Sequence, residues 1–147
     1  MNDEEKIKWI LENWGKAKAR AKNLEVKAKN LQYSLAAKTS VGGRGSGDGP
    51  SEQERHVGKK DEIEFDARAL HWNIEAIEES VSSLPEKQLR TIKGKFLKGI
   101  THETIGRRLD PPKSRRQVFK YQKKALNNLL DRELLAVYET LKNLLEE

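Results

Sequence analysis

From Ile7 the apolar positions recur at Ile7, Ile10, Trp14, Ala17, Ala21, Leu24, Ala28, Leu31 and Leu35, in alternating steps of three and four. Steps of that size put every member on one face of an α-helix, so the spacing predicts a long helix with a heptad seam, ending near Lys38. Asp3, Glu4 and Glu5 stand where a helix N-terminus favours negative charge. Trp9 lies off the seam and either widens the buried face or meets another segment. A second seam, Ile63, Ala67, Leu70, Ile74, Ile77, Val81 and Leu84, predicts a helix from about Lys60 to Ser82. The stretch between them, roughly Thr39 to Gly58, has five glycines between Val41 and Pro50 and predicts a flexible connector. It lacks a preceding strand and the Gly-Lys-Ser/Thr ending of a phosphate-binding loop, which argues against a nucleotide site. Two seams on consecutive helices predict an antiparallel hairpin, or the pairing of each seam with its copy in a second chain. The first helix is basic and the second acidic, which favours their mutual pairing.

After Leu84 the apolar segments become short. Pro85 and Glu86 suit a helix start, Leu89, Ile92 and Phe96 mark a buried stripe, and Gly99 is placed to close the helix in a left-handed cap. Gly94 inside that segment points to a close helix contact. Thr101 can cap a second short helix with Ile105 and Leu109 facing inward, and Pro111 and Pro112 end it. Ser114 can cap a third, whose inner face is Val118, Tyr121, Ala125 and Leu129. The apolar series then continues through Leu130, Leu134, Val137, Leu141 and Leu144, either as an extension of the third helix or as a separate helix capped by Asp131. The predicted fold is all-α: a helical hairpin or coiled-coil arm over residues 1–83, a helix-turn-helix domain over 84–130 and a helical tail over 131–147.

Charge is distributed unevenly over these segments. Residues 84–130 carry 13 Lys/Arg against 3 Asp/Glu, a net +10, which exceeds the +6 of the whole chain. The flanking segments 51–83 (4 against 9) and 131–147 (2 against 5) are acidic. A confined cationic block of this kind suits a polyanion partner. The chain has no cysteine, which excludes disulfides and thiolate metal sites and fits a reducing compartment. No apolar run approaches the ~18 residues of a membrane span, and the acidic start does not read as a signal peptide. The three histidines, His56, His71 and His102, are scattered, and His102-Glu103 lacks the second histidine of a zinc-protease helix. Neither an enzyme nor a cofactor is expected.

The chemistry that remains lies on the third short helix. The N-terminal positions of a recognition helix reach deepest into the major groove. Arginine can grip guanine N7 and O6 with two hydrogen bonds, and glutamine can do the same for adenine N6 and N7. Arg115, Arg116 and Gln117 are therefore the expected base readers, next to the capping Ser114. Lys120, Lys123 and Lys124 are the expected phosphate contacts, which position a protein without reading sequence.

The run Leu84-Pro-Glu…Phe96-Leu-Lys-Gly-Ile-Thr-His-Glu-Thr-Ile-Gly…Leu109…Ser114-Arg-Arg-Gln-Val118…Ala125-Leu resembles sigma-factor region four. It is closer still to the sigma-like regulators of the RinA and ArpU types carried by phages of Gram-positive bacteria. That resemblance, over about a third of the chain, implies a helix-turn-helix that reads promoter DNA and an activator of late or packaging genes. The turn Leu109-Asp-Pro-Pro-Lys-Ser114 is two residues longer than the family's and lacks its glycine. No segment resembles the sigma-factor region that melts DNA.

The expectation is a sequence-specific, double-stranded-DNA-binding transcription regulator in a bacterial cytoplasm, homo-oligomeric with a dimer favoured, and with RNA polymerase as a further partner. The alternative is a phage small terminase subunit, a DNA-packaging component that also combines a helix-turn-helix with coiled helices. A many-subunit ring would favour packaging, and a monomer or dimer would favour transcription.

Overall fold

The computed structural model describes residues 1–40, 52–130 and 132–146, and over these the chain is helical without strands. The helices are α1 (Asp3–Ser40), α2 (Glu52–Ser82), α3 (Glu86–Ile92), α4 (His102–Arg108), α5 (Arg115–Asn128) and α6 (Arg132–Glu146), with a π-helical turn (Lys93–Leu97) continuing α3.

The two seams face each other inside one chain. Lys18 Nζ lies 3.1 Å from Glu78, and Glu25 bonds His71, so α1 and α2 run antiparallel. Along the interface Ala17, Ala21, Leu24 and Ala28 of α1 and Ala67, Leu70, Ile74 and Ile77 of α2 are buried. The small residues on α1 let the two backbones approach. The ion pairs are exposed and add little, since surface pairs contribute ~0–1 kcal/mol. Apolar burial supports the hairpin.

Two boundaries differ from expectation, and the first is that α1 runs to Ser40 rather than ending near Lys38. Helix α2 starts at Glu52 rather than near Lys60, so residues 52–58 are helix and not connector. Glu52, Gln53, Glu54 and Arg55 are good helix formers by residue type. Together they outweigh the ~1 kcal/mol cost of Gly58. The glycine-rich part of the connector, residues 41–51, lies outside the described residues.

The C-terminal stripe is part of the core. Leu134, Val137, Tyr138, Leu141 and Leu145 are buried, and α6 packs on both α1 and α2 to make a three-helix bundle. Trp9, off the seam, meets Tyr138 edge to face with ring centroids 5.2 Å apart. Helix α5 stops at Asn128, so the last helix is separate, and Asp131 lies outside the described residues. The break rotates Leu130 out to solvent, and Leu145 rather than Leu144 completes the buried stripe. No helix among the described residues is long and apolar enough to cross a membrane.

The segment 84–130 joins this bundle where the π-helical turn and α5 pack on α1 and α3 meets α2. Ile92, Ala125, Leu126 and Leu129 enter the main core, while Ile105, Leu109 and Val118 form a smaller one, with Tyr121 and Ile100 packed on it. Because α6 supplies part of the main core, Leu141→Ala should cost about 2–5 kcal/mol. Urea unfolding measures this, and a cost near zero would mean that α6 is only an appended tail.

Candidate nucleic-acid interface

The expected capping chemistry is present and positions α4 and α5. The Thr101 hydroxyl accepts from the Thr104 N–H, and the Ser114 hydroxyl accepts from the Gln117 N–H at 3.3 Å. Each such cap satisfies one of the four orphan donors of a helix start. Gly99 adopts φ +65° and closes the segment before α4. The π-helical turn alters that closure: the Ile100 N–H reaches back to the Gly94 carbonyl at 2.8 Å, one residue further than in an α-helical closure. Gly94 is buried against Ile105, whose side chain would lie 3.0 Å from an added Cβ. This is the close contact that its position suggested.

The turn from α4 to α5 is held by Gly106. Its carbonyl accepts from the Lys113 N–H at 2.8 Å, and a Cβ on Gly106 would stand 2.1 Å from the Lys113 carbonyl oxygen. The glycine absent from the turn itself is thus supplied by α4. Ile105, Leu109 and Val118 close the small core beneath this contact, and the Asp110–Pro111 peptide within the turn is cis.

With Val118, Ala125 and Leu129 fully buried on one side of α5, its opposite side carries Arg116, Lys120 and Lys123, all exposed, with Lys124 beside them. Arg115 is exposed on the neighbouring edge. There it joins Arg116, Phe119, His102 of α4 and Lys95 of the π-helical turn in lining one shallow groove. His102 is fixed by a hydrogen bond to the buried Gln122 and by an edge-to-face contact with Phe119 (5.8 Å between centroids). Phe119, 54% exposed, is the large apolar side chain on this cationic surface.

Three features depart from the picture drawn from spacing. Gln117 is half-buried on the far edge of α5 and hydrogen-bonded to Tyr121. That bond holds the Tyr121 hydroxyl below its ordinary pKa; burial opposes the shift, and Lys87, Lys113 and Lys124 reinforce it. Glu4, in the first turn of α1, lines a groove with Lys120, Lys123, Lys124 and Asn127. The lysine half of α5 therefore faces a carboxylate contributed from more than 100 residues away in sequence, and Glu4 and Glu5 also line a groove with Phe119, Gln122 and Lys123. Lys95, His102 and Phe119 were missed because their grouping depends on how the π-helical turn, α4 and α5 meet. Among the other cations, Arg107 pairs with Glu103 at 2.6 Å and Arg90 with Glu86 at 3.0 Å.

Gly106→Ala should destabilise the chain by at least about 1–3 kcal/mol, because the new methyl group forces the α4–α5 turn apart. Thermal unfolding reads this directly, and an unchanged melt would show that the turn is not under that constraint.

No protein-family model, curated protein or solved structure matches the chain.

Proposed function

We propose that the chain is a sequence-specific double-stranded-DNA-binding protein, a transcription regulator in which α4 and α5 act as a helix-turn-helix and α5 enters the major groove. One observation carries this reading. A capped helix, about 21 Å long by its 14 residues, is locked on one side into two cores. On its other side it offers Arg116, Lys120 and Lys123 to solvent, with Arg115 exposed on the neighbouring edge. The width of a major groove matches such a helix, and the +10 of residues 84–130 matches a polyanion.

In this reading Arg115 and Arg116 approach base edges, and Lys120 and Lys123 approach phosphates from the same face. Gln117, half-buried on the far edge of α5, lies apart from them. The resemblance of residues 84–126 to sigma region four and to phage late-gene activators extends the proposal to promoter DNA and a contact with host RNA polymerase. A packaging role would use the same DNA-facing surface. The observation in its favour is an exposed aromatic strip on α2 that suits assembly of several copies, since Trp72 and Phe65 stand 79% and 66% exposed. Subunit number separates the two: a many-subunit ring points to packaging.

Sequencing the DNA retained by the purified protein tests the proposal. A recurrent site is expected, on which Arg115→Ala or Arg116→Ala each cost about 1–3 kcal/mol, with little effect on scrambled duplex. Retention of random sequence, with equal loss on both duplexes, would reduce these residues to phosphate contacts. Affinity should also fall with salt at a log–log slope near −0.9 per phosphate neutralised, and a signal insensitive to salt would argue against DNA as the ligand.

A further inference from the structure

Helix α2 has a second apolar stripe besides the seam that faces α1. Phe65, Ala69, Trp72 and Ala76 recur in steps of four, three and four, which places them on one face turned away from α1. Phe65 and Trp72 are largely exposed and Ala69 is half-buried, while Ala76 packs on the main core. Isolated exposed apolar residues are ordinary, but two large aromatics seven residues apart on one helix face form a patch. Asp61, Glu62, Glu75 and Glu79 frame it, against one cation, Arg68.

The outer face of α1 has the complementary character. Val26 is 49% exposed there, between Ala19 and Asn30, with Lys16, Lys22, Lys27 and Lys29 around it. The two faces also stand at the same height. Lys18 lies opposite Glu78 and Glu25 opposite His71, so residues 20–31 of α1 run level with residues 76–65 of α2. A second copy set beside the first at that height would bring Trp72 and Phe65 against Val26. Lys22 would then be level with Glu75 on one flank, to within one residue.

We infer that the aromatic face of α2 docks on the lysine-framed outer face of α1 in a second copy of this chain. The interface is head-to-tail, since the two patches differ and lie on opposite edges of the hairpin. Such a contact produces a ring if its rotation closes and a filament if it does not. A two-fold pairing of α2 with α2 would leave the lysine-framed face of α1 uncovered, and a dimer indifferent to Lys22→Glu would report it. The inference uses no contact of α5, but a closed ring of many copies would favour the packaging reading over the transcription one.

Analytical ultracentrifugation of the full chain, at low and at high salt, tests it. The expected result is concentration-dependent assembly beyond a dimer, stronger at low salt. Trp72→Ala should weaken association by at least about tenfold, as truncating a central aromatic anchor does. Lys22→Glu should weaken it several-fold, and adding Glu75→Lys should restore it. All three positions are exposed, so circular dichroism should show unchanged helicity in each variant. A chain that stays monomeric at every concentration would overturn the inference. So would an oligomer indifferent to Trp72→Ala, or a dimer that Lys22→Glu leaves intact.

Discussion

The apolar face at the start of α1 is the constraint on which the other elements depend. Ile7, Ile10, Leu11 and Trp14 are fully buried there, and a side chain of that size contributes about 1.5–3 kcal/mol when removed from water. The same helix packs on α2, α5, α6 and the π-helical turn. An isolated helix is marginal in water, and most of its stability comes from packing an amphipathic face. Here one face serves several partners, so the hairpin and the cationic unit share a core.

That shared core also sets what α5 can present. Ala125, Leu126 and Leu129 anchor its C-terminal half in the bundle, and Val118 anchors its N-terminal half over α4. With both halves held, the exposed side is left to arginine and lysine. The first turn of α1 then adds Glu4 beside Lys120, Lys123 and Lys124. Opposite charges at such range attract, though salt screens them over roughly 8–10 Å. Glu4 and Glu5 also line a groove beside Phe119, whereas Arg115, Arg116 and Lys95 line the groove on its other side with His102.

Much of the fold was readable from spacing. The steps of three and four gave both seams, and Thr101, Ser114 and Gly99 adopt the local conformations their residue types favour. What could not be read were relations between segments. The stripe on α6 declared an apolar face but not its partner, which proved to be α1 and α2. Leu11 and Tyr138 are buried because a third helix widens the α1 contact, a fact outside any two-helix pattern. The π-helical turn at Lys93–Leu97 shifts Phe96 by a fraction of a turn, and periodicity does not announce it. In the candidate interface the spacing placed Arg116, Lys120 and Lys123 on an exposed side of α5. It did not show that Gln117 would bond Tyr121 or that Glu4 would face the lysines, because both depend on tertiary placement.

Methylation interference on a bound duplex is the most direct test of α5 as a major-groove reader. Guanine N7 lies in the major groove and adenine N3 in the minor groove, so one experiment probes both. If α5 reads base edges through Arg115 and Arg116, N7 methylation at one or two guanines of the selected site should abolish binding, while N3 methylation should be tolerated. Tolerance of N7 methylation throughout the site, or interference confined to N3, would contradict the proposed role of α5.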